Sequence, residues 1–232
     1  MIRSPLRHAC EHRFAGRPGW ELLRWEFVLP NFLEFHTHMK FKLTIDAANE
    51  TIRLMNDLCE SETVLAEIER IVDLIVNSFK EGGKVLICGN GGSGCDAQHF
   101  AEELTGRFRK DRRALPAIAL MDAAHITCVA NDFGYNAIFS RSLEALGSRG
   151  DILIGLSTSG NSANVREAII KANEIQMVTI ALLGRDGGCT KGLSHSEILI
   201  PGVFSDRIQE VHMFILHLIT ELVERRMFPQ NY

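Results

Sequence analysis

From residue 84 onward, short uninterrupted apolar runs alternate with longer stretches in which apolar residues recur every three or four positions. The runs read as strands buried on both faces, and the stretches as helices with one buried stripe. Strands are expected at 84–88, 117–120, 151–156, 178–183 and 197–200, and helices at 96–105, 123–129, 139–146, 163–172 and 206–226. Two helical patterns precede them, at 46–58 and 63–80. In the second, Val64, Ile68, Ile71, Val72, Leu74 and Ile75 mark the apolar face, and Gly82-Gly83 ends it. The alternation predicts a three-layer α/β sandwich, a mostly parallel five-stranded sheet flanked by helices, with an N-terminal helical hairpin. No repeat or linker divides it. In such sheets ligands bind beyond the carboxyl ends of the strands.

The first 38 residues carry a different pattern. They hold both tryptophans, four of the nine histidines and three of the six prolines, with no lysine or aspartate. Arg3, Arg7, Arg13 and Arg17 are interleaved with Pro, Gly and His, without the apolar h-region of a signal peptide. Residues 20–35 are apolar enough for a short packed segment, in which Pro30 is expected to interrupt any helix. Regular spacing begins after Met39, with Leu43, Ala47, Ile52 and Leu54. The expected organisation is an N-terminal extension of unknown role at 1–38 and a single domain at 39–232.

Composition narrows the partners. With 232 residues, 46% hydrophobic, 23% charged and a net charge of −4, the chain offers no electrostatic case for nucleic acid or for an anionic membrane. Its apolar runs fall far short of the roughly 18 residues of a membrane span. The six cysteines (Cys10, Cys59, Cys88, Cys95, Cys128, Cys189) lack CxxC spacing, and two lie in or beside apolar strands. Reduced thiols, a cytoplasmic protein and no thiolate zinc site are expected.

Two loops follow strands and open helices. Ser157-Thr158-Ser159-Gly160-Asn161-Ser162 combines four hydroxyls with two turn formers. Free loop amides, a helix N-terminus and those hydroxyls make a phosphate cradle that works without Lys or Arg; an ordinary turn with a Ser cap has the same sequence. Gly89-Asn90-Gly91-Gly92-Ser93 lets the backbone approach a ligand closely. It is not GxGxxG, so the dinucleotide reading of this loop is weak.

On the following helix His99 and Glu103 are four apart and share a face, the spacing of a shared metal or substrate site and equally of a surface ion pair. The last helix carries Asp206-Arg207-Ile208-Gln209-Glu210-Val211-His212 and then His217. Asp206 and Gln209 fit an Asp-x-x-Gln capping pattern, and His217 lies in an apolar run where a satisfied core histidine is common. Gln209 and His217 stand about 12 Å apart along a straight helix, an awkward distance for one ion unless subunits share the site.

Gly89-Asn90-Gly91-Gly92-Ser93 with the segment from Asp96 to Arg107 resembles the sugar isomerase (SIS) family. The resemblance continues through Val129-Ala130-Asn131-Asp132-Phe133-Gly134, through Ser157 to Val165 and from Asp206 to His217, and covers residues 40–228. Gly94 departs from the family pattern, in which some members carry His. The resemblance is nearest to the members that convert D-sedoheptulose 7-phosphate to D-glycero-D-manno-heptose 7-phosphate through an enediol, the first step toward ADP-heptose for the lipopolysaccharide core. It implies Glu103 and His217 as catalytic residues and one zinc ion per subunit at His99, Glu103, Gln209 and His217. Substrate contacts are implied at Asn90, Gly91, Gly92, Ser93, Glu103, Asn131, Asp132, Ser157, Thr158, Ser159, Ser162 and Gln209. A homotetramer with active sites at subunit contacts is also implied. A non-catalytic SIS module, binding a sugar phosphate or the replication initiator protein, shares the fold and the Ser-rich loop but has no need of the His99, Glu103, Gln209 and His217 set. Isomerases of hexosamine or arabinose phosphates are a further alternative, which the 206–226 helix pattern fits less well.

Overall fold

A computed structural model describes residues 29–232, with side chains from Phe41 onward. Residues Ala47–Tyr232 form one compact unit. Helix α1 (Leu29–Glu60) is longer than expected. Pro30 does not interrupt it, because the residue stands in the first turn, where a missing N–H removes no intrahelical bond. The helix runs through Met39, and residues 1–28 of the expected extension lie outside the described residues. Helix α2 (Glu62–Lys80) starts at Ser61, whose hydroxyl accepts from the Val64 amide at 3.3 Å. Such a cap contributes about 1 kcal/mol.

The alternation that follows is β1 (Val85–Gly89), α3 (Gly92–Thr105), β2 (Ala117–Ala119), α4 (Ala123–Phe133), α5 (Ile138–Leu146), β3 (Ile152–Ser157), α6 (Ala163–Glu174), β4 (Val178–Gly184), β5 (Ser196–Ile200) and α7 (Ser205–Met227). The strands pair in the order β2-β1-β3-β4-β5, all parallel. Every residue of β1 and β3 is buried, as a sheet covered on both faces requires.

Period-two alternation divides the core. Val85, Ile87, Ile152, Ile154, Ile180 and Leu182 point into one layer with α2, α3 and α7, together with Leu54 and Leu58 of α1. Leu86, Cys88, Leu153, Ala181 and Leu183 point into the other, with Ile138, Phe139, Val165 and Ile169 from α5 and α6. The three-layer expectation is met, and α3 and α7 lie together on one face of the sheet. Burial pushes the Cys88 thiol up to about 12, so it behaves as a small core residue. Among the described residues no helix is long and apolar enough to cross a membrane.

His212 gives the fold a pH signature. The side chain is fully buried on α7, and its Nε2 lies 3.2 Å from the Leu183 carbonyl at the end of β4. Burial pulls its pKa from 6.5 down to about 4, against the raising effect of that bond. The unfolded chain therefore binds the extra proton first, and stability falls as pH drops from 6.5 toward 4, by up to about 3 kcal/mol. Asp96 acts in the opposite direction: burial raises it from 3.8 to about 6, so its contribution weakens the fold as pH rises through that window. Between pH 7 and pH 4.5 the two oppose one another in the wild type, so a variant separates them. In denaturant titrations His212→Gln, which retains a donor for Leu183, is expected to be more stable at pH 4.5 relative to pH 7 than the wild type is; an unchanged difference between the two pH values refutes the assignment.

Candidate active site

The chain leaves β1 toward β2 on one side and later returns to β3 on the other, so a crevice opens beyond the adjacent ends of β1 and β3. Gly89 is in register with Leu156, which brings the two loops side by side. Asn90 and Asn164 join them through reciprocal amide bonds, each 2.8 Å long. Tyr135 adds its hydroxyl to Asn90 Oδ1 at 2.9 Å. Asn164 is buried in the first turn of α6 and was not singled out by the sequence, where it reads as an ordinary early-helix polar residue. Its signal is visible only once both loops are in place.

In the Ser-rich loop, Ser162 stands at the N-cap of α6, yet its side chain makes no capping bond. It accepts instead from Ser157 Oγ at 3.1 Å. The ordinary Ser-capped turn is thus not what forms; two hydroxyls face one another at a helix N-terminus, which attracts anions. Thr158 Oγ1 donates to Ser205 Oγ at 3.1 Å, and Ser159 Oγ accepts the Asn161 amide at 3.1 Å. Gly160 has φ of +65°, and a Cβ there would lie 2.0 Å from the Gly187 carbonyl oxygen, so glycine is required.

Helix α3 begins at Gly92, earlier than the expected 96, with Gly91 at its N-cap and φ of 54°. The Gln209 amide lies against Gly92, where an added Cβ would meet its Oε1 at 2.5 Å. This corrects the capping pattern: the N-cap of α7 is Phe204, Asp206 is already inside the helix and pairs with Arg207 at 3.0 Å, and no side chain caps. Gln209 is thereby free to reach the loop. Ser93 is buried in the first turn of α3.

Further along α3, His99, Glu103 and the α7 residue His217 come together, one ligand atom of each within 4.8 Å of the other two. His99 Nε2 is 3.1 Å and His217 Nε2 3.9 Å from Glu103 Oε1. The imidazoles meet edge to face at 4.9 Å. His217 is therefore not a core histidine; its side chain is 37% exposed, and that of Glu103 is 16% exposed. Burial and the neighbouring His99 hold His217 below the usual imidazole value of 6.5, with Glu103 opposing, so the ring is mainly neutral at neutral pH. The Phe108 ring stacks on it at 5.9 Å.

Two imidazoles and a carboxylate with an open side are a familiar donor set for a catalytic zinc ion. Ligands 2.0–2.1 Å from a tetrahedral ion lie about 3.3 Å apart, so the three atoms, 3.1 Å, 3.9 Å and at most 4.8 Å apart here, would draw together around an ion. Gln209, the fourth implied ligand, lies at Gly92, seven residues or about 10 Å of helix rise before His99. Asn131 and Asp132 stand exposed in the last turn of α4, bonded to each other at 2.7 Å, just before Tyr135. Asp96 was missed from sequence: its Oδ2 is buried without a partner one turn before His99.

The SIS domain family pattern matches residues 48–184. A phosphoheptose isomerase of Fusobacterium nucleatum is 55% identical over 188 residues, which is 81% of this chain and 97% of that protein. One from Vibrio cholerae is 57% identical over 164 residues, 70% of this chain and 86% of that protein. The structure of a phosphoheptose isomerase from Neisseria gonorrhoeae superposes with a TM-score of 0.72 at 37% identity, covering 80% of this chain and 98% of that one. A family pattern over more than half the chain, and such identities over most of it, show that the chain belongs to the SIS domain family, among its phosphoheptose isomerases.

Proposed function

We propose that this protein is an aldose–ketose isomerase that converts D-sedoheptulose 7-phosphate to D-glycero-D-manno-heptose 7-phosphate, in the cytoplasm, at the start of the route to ADP-heptose. The observation that carries the reading is the approach of Glu103 and His217, from different helices, on the same side of the sheet as the Gly89–Ser93 loop. The heptose itself is supported by the identities with named relatives. A binding module has no use for such a pair.

The isomerisation moves a proton between adjacent carbons. Glu103 takes the proton from C1 of the ketose while a proton reaches the carbonyl oxygen at C2, giving the enediol. Returning the proton to C2 and withdrawing one from the C1 hydroxyl completes the aldose. His217, neutral and able both to give and to accept, serves the oxygens. The Ser157–Ser162 cradle holds the phosphate, so remote binding energy orients the reacting carbons. His99, Glu103 and His217 would hold a zinc ion, which when bound would polarise the carbonyl; the fourth implied ligand, Gln209, lies at Gly92, outside this cluster. A ring nitrogen on the metal cannot carry a proton, so zinc and the acid–base role compete for His217. A homotetramer is the proposed assembly, supported by the exposed apolar side chains of Val203, Phe204 and Phe214.

The test is incubation with sedoheptulose 7-phosphate, with and without a chelator, followed by NMR. Conversion to heptose 7-phosphate is expected. No conversion in either arm overturns the function; full conversion with the chelator overturns the zinc assignment alone. Ser157→Ala is expected to raise KM about tenfold with kcat within about threefold, the scale of one lost bond to a charged group. A loss confined to kcat contradicts the cradle.

A further inference from the structure

We propose that Arg112 is a positioning residue for this reaction, locking the end of the helix that carries Glu103 to the helix that carries His217; the inference rests on the function proposed above. Arg112 lies in the segment after α3, and its side chain is 1% exposed. Its Nε donates to Glu224 Oε1 on α7 at 2.7 Å. Its Nη2 donates to the backbone carbonyl of Glu103 at 2.7 Å, and Nη1 to the carbonyls of Leu104 and Gly106 at 2.8 and 2.9 Å. These carbonyls lie at the end of α3, where intrahelical donors run out. The helix has no basic residue in its own last turn, so the guanidinium supplies the positive charge that its C-terminus favours.

A single planar group therefore bonds the backbone of Glu103 and a side chain of α7. The far side of Glu224 is fixed as well, because the Tyr232 hydroxyl donates to its Oε2 at 2.9 Å. The segment carrying Arg112 makes two further contacts with α7, Phe108 on His217 and Arg109 with Glu221 at 2.6 Å. Positions 217, 221 and 224 share one face of that helix. The segment is a strap, and Arg112 is its buried fastening. Two proton-transfer groups on separate helices need such a fastening, since a misplacement of about 1 Å can cost on the order of a hundredfold in rate. Lysine cannot replace it, having no planar fork to reach a carboxylate and three carbonyls together.

The test compares wild type with Arg112→Lys and Glu224→Gln, using kcat, KM, circular dichroism and the affinity for Zn2+ alone by competition with a chromophoric chelator. Folded Arg112→Lys is expected to lose kcat about ten- to a hundredfold with KM within about threefold, and to bind zinc about tenfold more weakly. Wild-type kcat in the folded variant, or equal changes in kcat and KM, overturns the proposal. If Arg112→Lys does not fold, Glu224→Gln, which keeps an acceptor for the guanidinium, decides on the same criteria. Failure of both to fold assigns the pair to stability alone and also overturns it. An inactive wild type overturns the proposed function, and this inference with it. An active wild type that binds no zinc removes only the metal, and the split between kcat and KM still decides.

Discussion

Replacing Glu103 by Gln is expected to lower kcat by roughly two to four orders of magnitude, the usual scale for a lost general base. The substitution keeps the volume and hydrogen-bonding reach of the side chain while removing its basicity. Because Glu103 is also an implied metal ligand, both proteins are compared at saturating Zn2+. Glu103 is largely buried, on a helix whose packing residues Phe100 and Leu104 belong to the core, so the amide will sit where the carboxylate sat. KM should change little, because the phosphate end of the substrate is held at the Ser157–Ser162 loop by other groups. Steady-state kinetics with NMR detection of product, on protein shown to be folded by circular dichroism, decides the matter. Turnover within about threefold of wild type would remove Glu103 as the base and move the proton transfer to another group. A parallel rise in KM would instead mean that Glu103 holds substrate in the ground state.

Much of the fold is legible in the sequence because buried parallel strands are continuous apolar runs. Each strand, from Val85–Gly89 to Ser196–Ile200, falls within one residue of its expected bounds. Helix starts are less legible. Gly92 and Ser93 read as loop, yet they are the first turn of α3, because an N-terminus capped by a glycine at positive φ needs no side-chain signal. Pro30 misleads for a related reason: its effect depends on whether it occupies a first turn or an interior. In the site, His99 and Glu103 are legible as a pair because they stand four apart on one helix. His217 could be joined to them only through the resemblance, since its neighbours in sequence are apolar and its partners lie on α3. Gln209 was masked by a capping pattern that the structure does not use. Arg112 and Asn164 gave no signal because each is defined by what it bridges, and bridges between distant segments leave no mark in local spacing.

His217→Ala is expected to reduce kcat by a similar factor, roughly two to four orders of magnitude, for a different reason. The enediol forms only if a proton reaches the carbonyl oxygen as C1 loses one, and the aldehyde only if a hydroxyl proton departs. A neutral imidazole beside Glu103 serves both steps, and burial with the positive influence of His99 keeps it neutral. That shift sets a sign. Activity that needs the neutral ring falls as pH drops through its pKa, so the acid limb of kcat/KM assigned to His217 should lie below 6.5 in the wild type. In His217→Ala that limb should disappear from the residual rate. The substitution also leaves a space between Phe108 and His99, lined by the ring that stacked at 5.9 Å. Added imidazole should enter it and restore part of the turnover, with a dependence on the neutral form. Zinc separates from this role in the same experiment: a metal lost with its ligand is restored by raising Zn2+, whereas a lost proton carrier is restored by imidazole at fixed metal. Turnover within about threefold of wild type sinks the assignment, and recovery by Zn2+ alone would make His217 a ligand rather than an acid–base.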